Sequence, residues 1–350
     1  LEMKAKTLYN KTDFAFAMMR EILQKTRFTD TKRLYEIIAQ MKSRLQMYLM
    51  SAGHSAAAVR AMAKFSRSAK INDRMNGVEF YWLIEDLEQN FEEKKEELIR
   101  KLTEVMQYVI RPENLIVSCT AETEGIEAVK REIPSLKEAL YTGSFPAAPE
   151  EESPSMECMK EGLKTPSAVQ YVARAGHISH YTGAFRILKV ILSYEYLWIQ
   201  IRVKGGAYGC MSGFGVYGDS YLVSYRDPNL KETNQVFENT ADYVEHFDAT
   251  DRDMTKYVIG TISDMDTPLT PSAAGNRSMS AWLTHTTLED LQRMRDQVLE
   301  ATPADIRSLA SGIRELLDEG SLCAIGNESR IEKEKDMFDR TRNLFRSAET

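Results

Sequence analysis

The 350-residue chain is 43% hydrophobic and balances 45 lysines and arginines against 52 aspartates and glutamates, for a net charge of −7. At roughly 150 residues per domain this predicts two domains with their own cores and excludes one small disulfide-stapled module. No stretch concentrates enough positive charge to neutralise a run of phosphates, which argues against nucleic acid as a main partner, and no apolar window reaches the ~20 clean residues of a membrane span.

Residues 184–201, the most apolar stretch, are interrupted by Arg186, Lys189, Ser193, Glu195 and Gln200. Cys119, Cys158, Cys210 and Cys323 are widely spaced and form no CxxC, the pattern of reduced thiols, so a cytoplasmic location is expected. The first nine residues alternate as a strand does and lack a signal-peptide layout, which suggests an entry in mid-fold and a fragment of a longer chain.

From Asp13 the pattern turns helical through Leu23, and Thr29-Asp30 looks like the cap of a longer helix through Leu34, Ile37, Ile38, Met41 and Leu45. Residues 51–58 (SAGHSAAA) have almost no bulk and permit close helix contact or a break. Residues 77–110 read as one long helix with apolar positions from Phe80 to Met106, closed by Arg111-Pro112. LIVSCT at 115–120 reads as a buried strand and 125–140 as an amphipathic helix.

Four of the ten prolines then fall in 146–166 beside Glu150-Glu151-Glu152, a composition that marks a linker, so the domains are set at 1–140 and 167–350 with 141–166 between. Beyond it come a strand at 168–173, an apolar helix at 183–198, a hairpin of 207–216 with 221–225, helices at 229–246 and 251–264, and a strand at 321–325. Thr302-Pro303-Ala304-Asp305 is a helix-start signature ahead of residues 306–317.

The two sides repeat one another at low resolution. LIVSCTAETEGIE from Leu115 resembles LCAIGNESRIE from Leu322, Thr29-Asp30 resembles Thr250-Asp251, and Ser51-Ala52 resembles Ser272-Ala273. A period near 210 residues is domain duplication, with the first copy lacking its opening strand and helix.

The densest chemical signal is Arg202-Val203-Lys204-Gly205-Gly206-Ala207-Tyr208-Gly209, opening a segment in which six of the 18 glycines fall between positions 205 and 218. On an uninterrupted strand Arg202 and Tyr208 share a face about 20 Å apart, less if a bulge forms at Gly205-Gly206. Two polar heads on a glycine-lined wall suit an extended peptide, and a twisted hairpin whose glycines only relieve crowding is the plainer alternative.

RVKGGAYG after an apolar helix, followed by a Gly/Tyr hairpin, SYRDPN and MDTPLTPSAAGNRS, resembles the C-terminal half of presequence-protease-like zinc metallopeptidases of the pitrilysin/insulinase family. The resemblance implies an α+β fold of two homologous domains, each an antiparallel sheet packed with helices: the latter part of a third family domain over 1–140 and a fourth over 167–350. It also implies two halves closing around a peptide, with zinc held by His-x-x-Glu-His in the N-terminal half. The C-terminal half then supplies an Arg and a Tyr to the substrate, matched here by Arg202 and Tyr208, with Gly205 and Gly206 beside them and Tyr208 as the oxyanion or carbonyl donor.

This chain has no His-x-x-Glu-His; its nearest approach, Asp242-Tyr243-Val244-Glu245-His246, has Asp where the first ligand belongs and reads as an ordinary helix. His177 and His180 could supply two ligands but have no carboxylate nearby in sequence, and His54 and His285 carry no signal of their own. GFGVYG at 213–218 satisfies GxGxxG but runs into another strand instead of a helix, so no dinucleotide site is expected.

The resulting expectation is the substrate-binding half of a zinc endopeptidase that degrades unstructured peptides in a closed chamber. This chain would hold no zinc and be inactive alone, with the N-terminal half of the same polypeptide as partner. A non-catalytic peptide-binding or core subunit of the same fold is the alternative.

Overall fold

The computed structural model describes residues 1–144, 156–157 and 159–346. It divides into two compact units that are discontinuous in sequence: one of Leu1–Gln40, Asp86–Glu152 and Pro268–Thr287, the other of Met41–Glu85, Ser153–Thr267 and Leu288–Thr350.

Every strand among the described residues lies in the second unit. Strands β1 (Lys160–Thr165), β2 (Tyr171–His177), β3 (Gly209–Phe214), β4 (Asp219–Tyr225), β5 (Ser321–Asn327) and β6 (Arg340–Asn343) form one sheet in the order β3-β4-β2-β5-β1-β6. The sheet is mixed and not antiparallel as expected, since β1 runs parallel to both β5 and β6 while the other pairings are antiparallel.

The central strands are buried on both faces, which is why they read as continuous apolar runs. Val172, Leu222, Leu322 and Ala324 face one core with the helices Ala184–Ile191, Pro303–Ser308 and Ala310–Asp318. The alternate residues Leu163, Tyr171, Ala173, Ala175, Val223, Cys323 and Ile325 face a second core closed by the helix Gly53–Met62.

The small residues at 51–58 resolve as close contact. Ala56, Ala57, Ala58 and Ala61 are buried against the sheet, and a Cβ on Gly53 would stand 2.3 Å from the Tyr171 ring. That ring cannot swing away freely, because Tyr171 donates from its hydroxyl to the Met50 carbonyl at 2.8 Å. Gly53→Ala is therefore expected to cost about 1–3 kcal/mol by overpacking, read as a lowered denaturation midpoint.

A buried ionic cluster ties this helix to β1. Arg60, 4% exposed, donates to Glu161 Oε2 at 2.7 Å and Asp73 Oδ2 at 2.6 Å. Lys64 reaches Glu161 at 3.0 Å, and Arg342 of β6 reaches it at 2.9 Å. Burial alone would raise the Glu161 pKa, but these cations hold it down at about 2.

The first unit is helical among its described residues. Helix Thr12–Lys25 packs on Thr123–Glu138, fastened where Arg20 donates to Ser135 at 2.7 Å and pairs with Glu132 at 3.2 Å.

Several sequence expectations need correction. Residues 115–120 form no strand: none of the described residues pairs with them in a sheet, and Ile116 and Val117 are exposed. The equivalence with β5, a doubly paired strand of the sheet, is therefore not seen. The first nine residues likewise form no strand, leading instead into a short 3-10 turn at Tyr9–Lys11. The long helix at 77–110 is broken at Asn90 into Val78–Gln89 and Phe91–Val109. Most of the proline-rich segment lies outside the described residues, but its end is β1, with Glu161, Leu163 and Thr165 buried. Pro166 closes a strand there and does not extend a linker.

Candidate functional site

The site is built where a long helix gives way to the edge strand β3. Ala184–Ile191 continues through π-type turns at Leu192–Tyr196 and Trp198–Lys204, in which the Leu197 N–H bonds five residues back to the Leu192 carbonyl. The side chains explain the widening. An α-helix that buries Ile191 and Leu192 would next bury Glu195; the wider turn exposes Glu195 and buries Leu197 and Ile201 instead.

The glycine pair ends this helix. A Cβ on Gly205 would lie 2.6 Å from the Ile201 carbonyl oxygen, and Gly206 has φ +79°, a left-handed conformation suited to glycine. The Gly206 and Ala207 amides then bond back to Arg202 O at 3.0 Å and Ile201 O at 3.1 Å.

Arg202 is thus helical and Tyr208 sits just before β3, so the expected common strand face, about 20 Å long, does not exist. The reversal brings the two residues together. Arg202 Nη1 donates to the Tyr208 carbonyl at 2.9 Å, and its guanidinium carbon lies 5.6 Å from the Tyr208 ring centre and 4.2 Å from that of Trp198. Arg202 has no carboxylate partner among the described residues. The Tyr208 side chain is 64% exposed, and its hydroxyl makes no hydrogen bond within them.

The SYRDPN turn holds this corner. The Tyr208 N–H donates to Tyr225 O at 3.1 Å and Arg226 O at 3.2 Å, and Asn229 Nδ2 donates to the Gly205 carbonyl at 2.6 Å. Asp227, fully buried, anchors the turn by accepting from the Asn229 N–H at 2.9 Å and the Thr233 hydroxyl at 2.7 Å. Tyr225 packs edge-on against Tyr208 at 5.7 Å and against His54 at 4.8 Å. Burial pushes the nearby Cys210 thiol up to about 12, which removes it as a nucleophile at neutral pH.

Residues 160–327, which contain this whole corner from Trp198 to Asn229, match the family described as the PreP C-terminal domain, and residues 1–87 match the family of regions associated with M16 peptidases of subfamily C. The chain belongs with the C-terminal region of presequence-protease-like M16 peptidases. Among curated relatives, Protein HypA of Clostridium perfringens is 34% identical over 99% of this chain and 36% of its own length. Presequence protease 1, chloroplastic/mitochondrial, of Arabidopsis thaliana is 29% identical over 94% of this chain and 31% of its own. The chain therefore spans about a third of the relatives it matches. The crystal structure of pitrilysin shares the fold, with a TM-score of 0.53 and 11% identity over 90% of this chain and 33% of that one.

Zinc, which the family resemblance implies, does not fit the described residues. Among them no three His, Cys, Asp or Glu side chains gather to hold a metal ion. His177 lies at the exposed end of β2 with Nδ1 3.7 Å from Asp219 Oδ1. His246 Nδ1 sits 2.9 Å from the Asp242 carbonyl, while Glu245 pairs with Arg314. GFGVYG spans the β3–β4 turn with no helix behind it.

Sequence reasoning singled out Arg202, Tyr208, Gly205 and Gly206, and all four meet in this corner. It missed Trp198 and Asn229. Trp198 stands one turn before Arg202, a spacing that does signal stacking; Asn229 acts across a turn whose closure the sequence does not announce.

Proposed function

We propose that this chain is the substrate-holding part of a zinc-dependent endopeptidase that degrades unstructured peptides in a closed chamber, with the metal carried by the N-terminal half of the same polypeptide in the cytoplasm. The observation that carries this reading is that an Arg202 guanidinium with no carboxylate partner among the described residues meets the exposed Tyr208 at a glycine-terminated corner. Four of the five guanidinium N–H donors remain for peptide carbonyls, since Nη1 to Tyr208 O is the one hydrogen bond that Arg202 makes among the described residues. The phenol is placed to donate to an oxygen on which negative charge develops as a peptide bond is attacked.

An unstructured substrate fits because an exposed corner beside an edge strand admits extended backbone more readily than a folded surface. Metal analysis and a peptide-cleavage assay test the division of labour. The complete polypeptide should hold one zinc and cleave a flexible peptide, whereas the 350-residue chain alone should do neither. Stoichiometric zinc or hydrolysis in this chain alone would contradict the proposal. A complete polypeptide that binds peptides without cutting them would favour the non-catalytic subunit.

A further inference from the structure

Arginine in an exposed corner ordinarily samples many rotamers, and a guanidinium that must meet a carbonyl loses affinity to that freedom. Here the group is confined from two sides. Its carbon lies 4.2 Å from the Trp198 ring centre, within the range of a strong cation–π contact, and its Nη1 is tied to the Tyr208 carbonyl at 2.9 Å. Trp198 is four residues before Arg202 on the same helix, so the stack is local to one turn and needs no distant element to form it.

The indole itself is 36% exposed and adds no hydrogen bond among the described residues, so its polar edge is not what fixes it there. The neighbouring Leu197 and Ile201 are both buried, which anchors the turn that presents Trp198 and Arg202.

We infer that Trp198 is a positioning residue: it holds the Arg202 guanidinium over the indole ring so that the remaining N–H donors meet a peptide carbonyl already oriented. This rests on the reading of Arg202 as a substrate-holding group. It goes beyond that reading in assigning to an aromatic face, on the preceding turn, control over how tightly the arginine binds.

The test is the affinity of the complete polypeptide, stripped of metal with a chelator so that it does not cleave, for a fluorescein-labelled, flexible peptide, followed by anisotropy in the wild type, Trp198→Leu, Trp198→Phe, Arg202→Ala and the double variant Trp198→Leu/Arg202→Ala. Leucine keeps apolar bulk without a π face, and phenylalanine keeps the face. Trp198→Leu should weaken binding by about three- to tenfold, while Trp198→Phe should stay within about twofold of wild type. In the Arg202→Ala background, Trp198→Leu should have no further effect, because there is no guanidinium left to orient.

Equal affinity of Trp198→Leu and wild type would overturn the inference while leaving the Arg202 site standing. The same loss with and without Arg202 would also overturn it, since Trp198 would then contact peptide or support the fold by itself. Absence of peptide binding by the wild type, or binding indifferent to Arg202→Ala, would overturn the proposed function and this inference with it.

Discussion

Replacing Tyr208 by phenylalanine in the complete polypeptide should, on the proposed function, lower the kcat of peptide cleavage by ~10²–10³-fold with little change in KM, because a donor aimed at developing charge acts on the transition state more than on the ground state. The substitution is clean. The Tyr208 backbone stays fixed by its bonds to Tyr225 and Arg226, and the ring keeps its edge contact with Tyr225 and its place beside Arg202. Only a hydroxyl that makes no hydrogen bond within the described residues is removed, so the melting temperature should not move. Arg202→Ala should raise KM as well as lower kcat, since a guanidinium that holds substrate acts in both states. Steady-state kinetics on one flexible peptide reads both variants, and wild-type parameters in both would make the corner a structural hairpin.

The largest effect on stability is expected at Arg60. Arg60→Met retains the apolar stem but leaves Glu161 and Asp73, both wholly buried, without their shared cation, at a cost of about 3–5 kcal/mol. Adding Asp73→Asn should recover part of this loss, because Asp73 is the carboxylate left without a cation, whereas Glu161 keeps Lys64 and Arg342. The same cluster sets a pH dependence. Glu161 titrates near 2 in the fold, below its ordinary value of 4.5, so its contribution is complete above about pH 4.5 and is lost as pH falls toward 2. Unfolding free energies from denaturant curves should fall by about 2 kcal/mol more between about pH 7 and about pH 3 in the wild type than in Glu161→Gln.

Local signals in the sequence translated well into structure. Asp30 caps its helix by accepting from the Arg33 N–H at 3.0 Å, and Thr302 with Asp305 forms a capping box. The hairpin of β3 and β4 followed from glycine-bounded alternation. The failures are failures of partnership. LIVSCT at 115–120 has the composition of a buried strand, but composition does not say whether a neighbouring strand exists, and none of the described residues supplies one. Residues 160–165 hide a strand behind prolines and charges because Glu161 is buried by ion pairing, which hydrophobic pattern cannot register.

At the site, the choice of Arg202 and Tyr208 was legible as composition and their geometry was not. An even spacing sets Arg202 and Tyr208 on one face if the strand is uninterrupted, whereas the exposed Glu195 and buried Leu197 mark a helix that widens and runs on to Lys204. The reversal at Gly205-Gly206 then converts a separation along a strand into contact. The carbonyl bond that joins the pair depends on that reversal, and so does the stacking order Trp198, Arg202, Tyr208.

The central claim is that a flexible peptide is held at the corner of Arg202 and Tyr208, and photo-crosslinking tests it most directly. A flexible substrate peptide carrying a benzophenone side chain, irradiated with the complete polypeptide and mapped by mass spectrometry, should label residues 198–208 and the SYRDPN turn, and lose that label under excess unlabelled peptide. Competable adducts confined to other parts of the chain, with residues 198–208 and 224–229 unlabelled, would contradict the account.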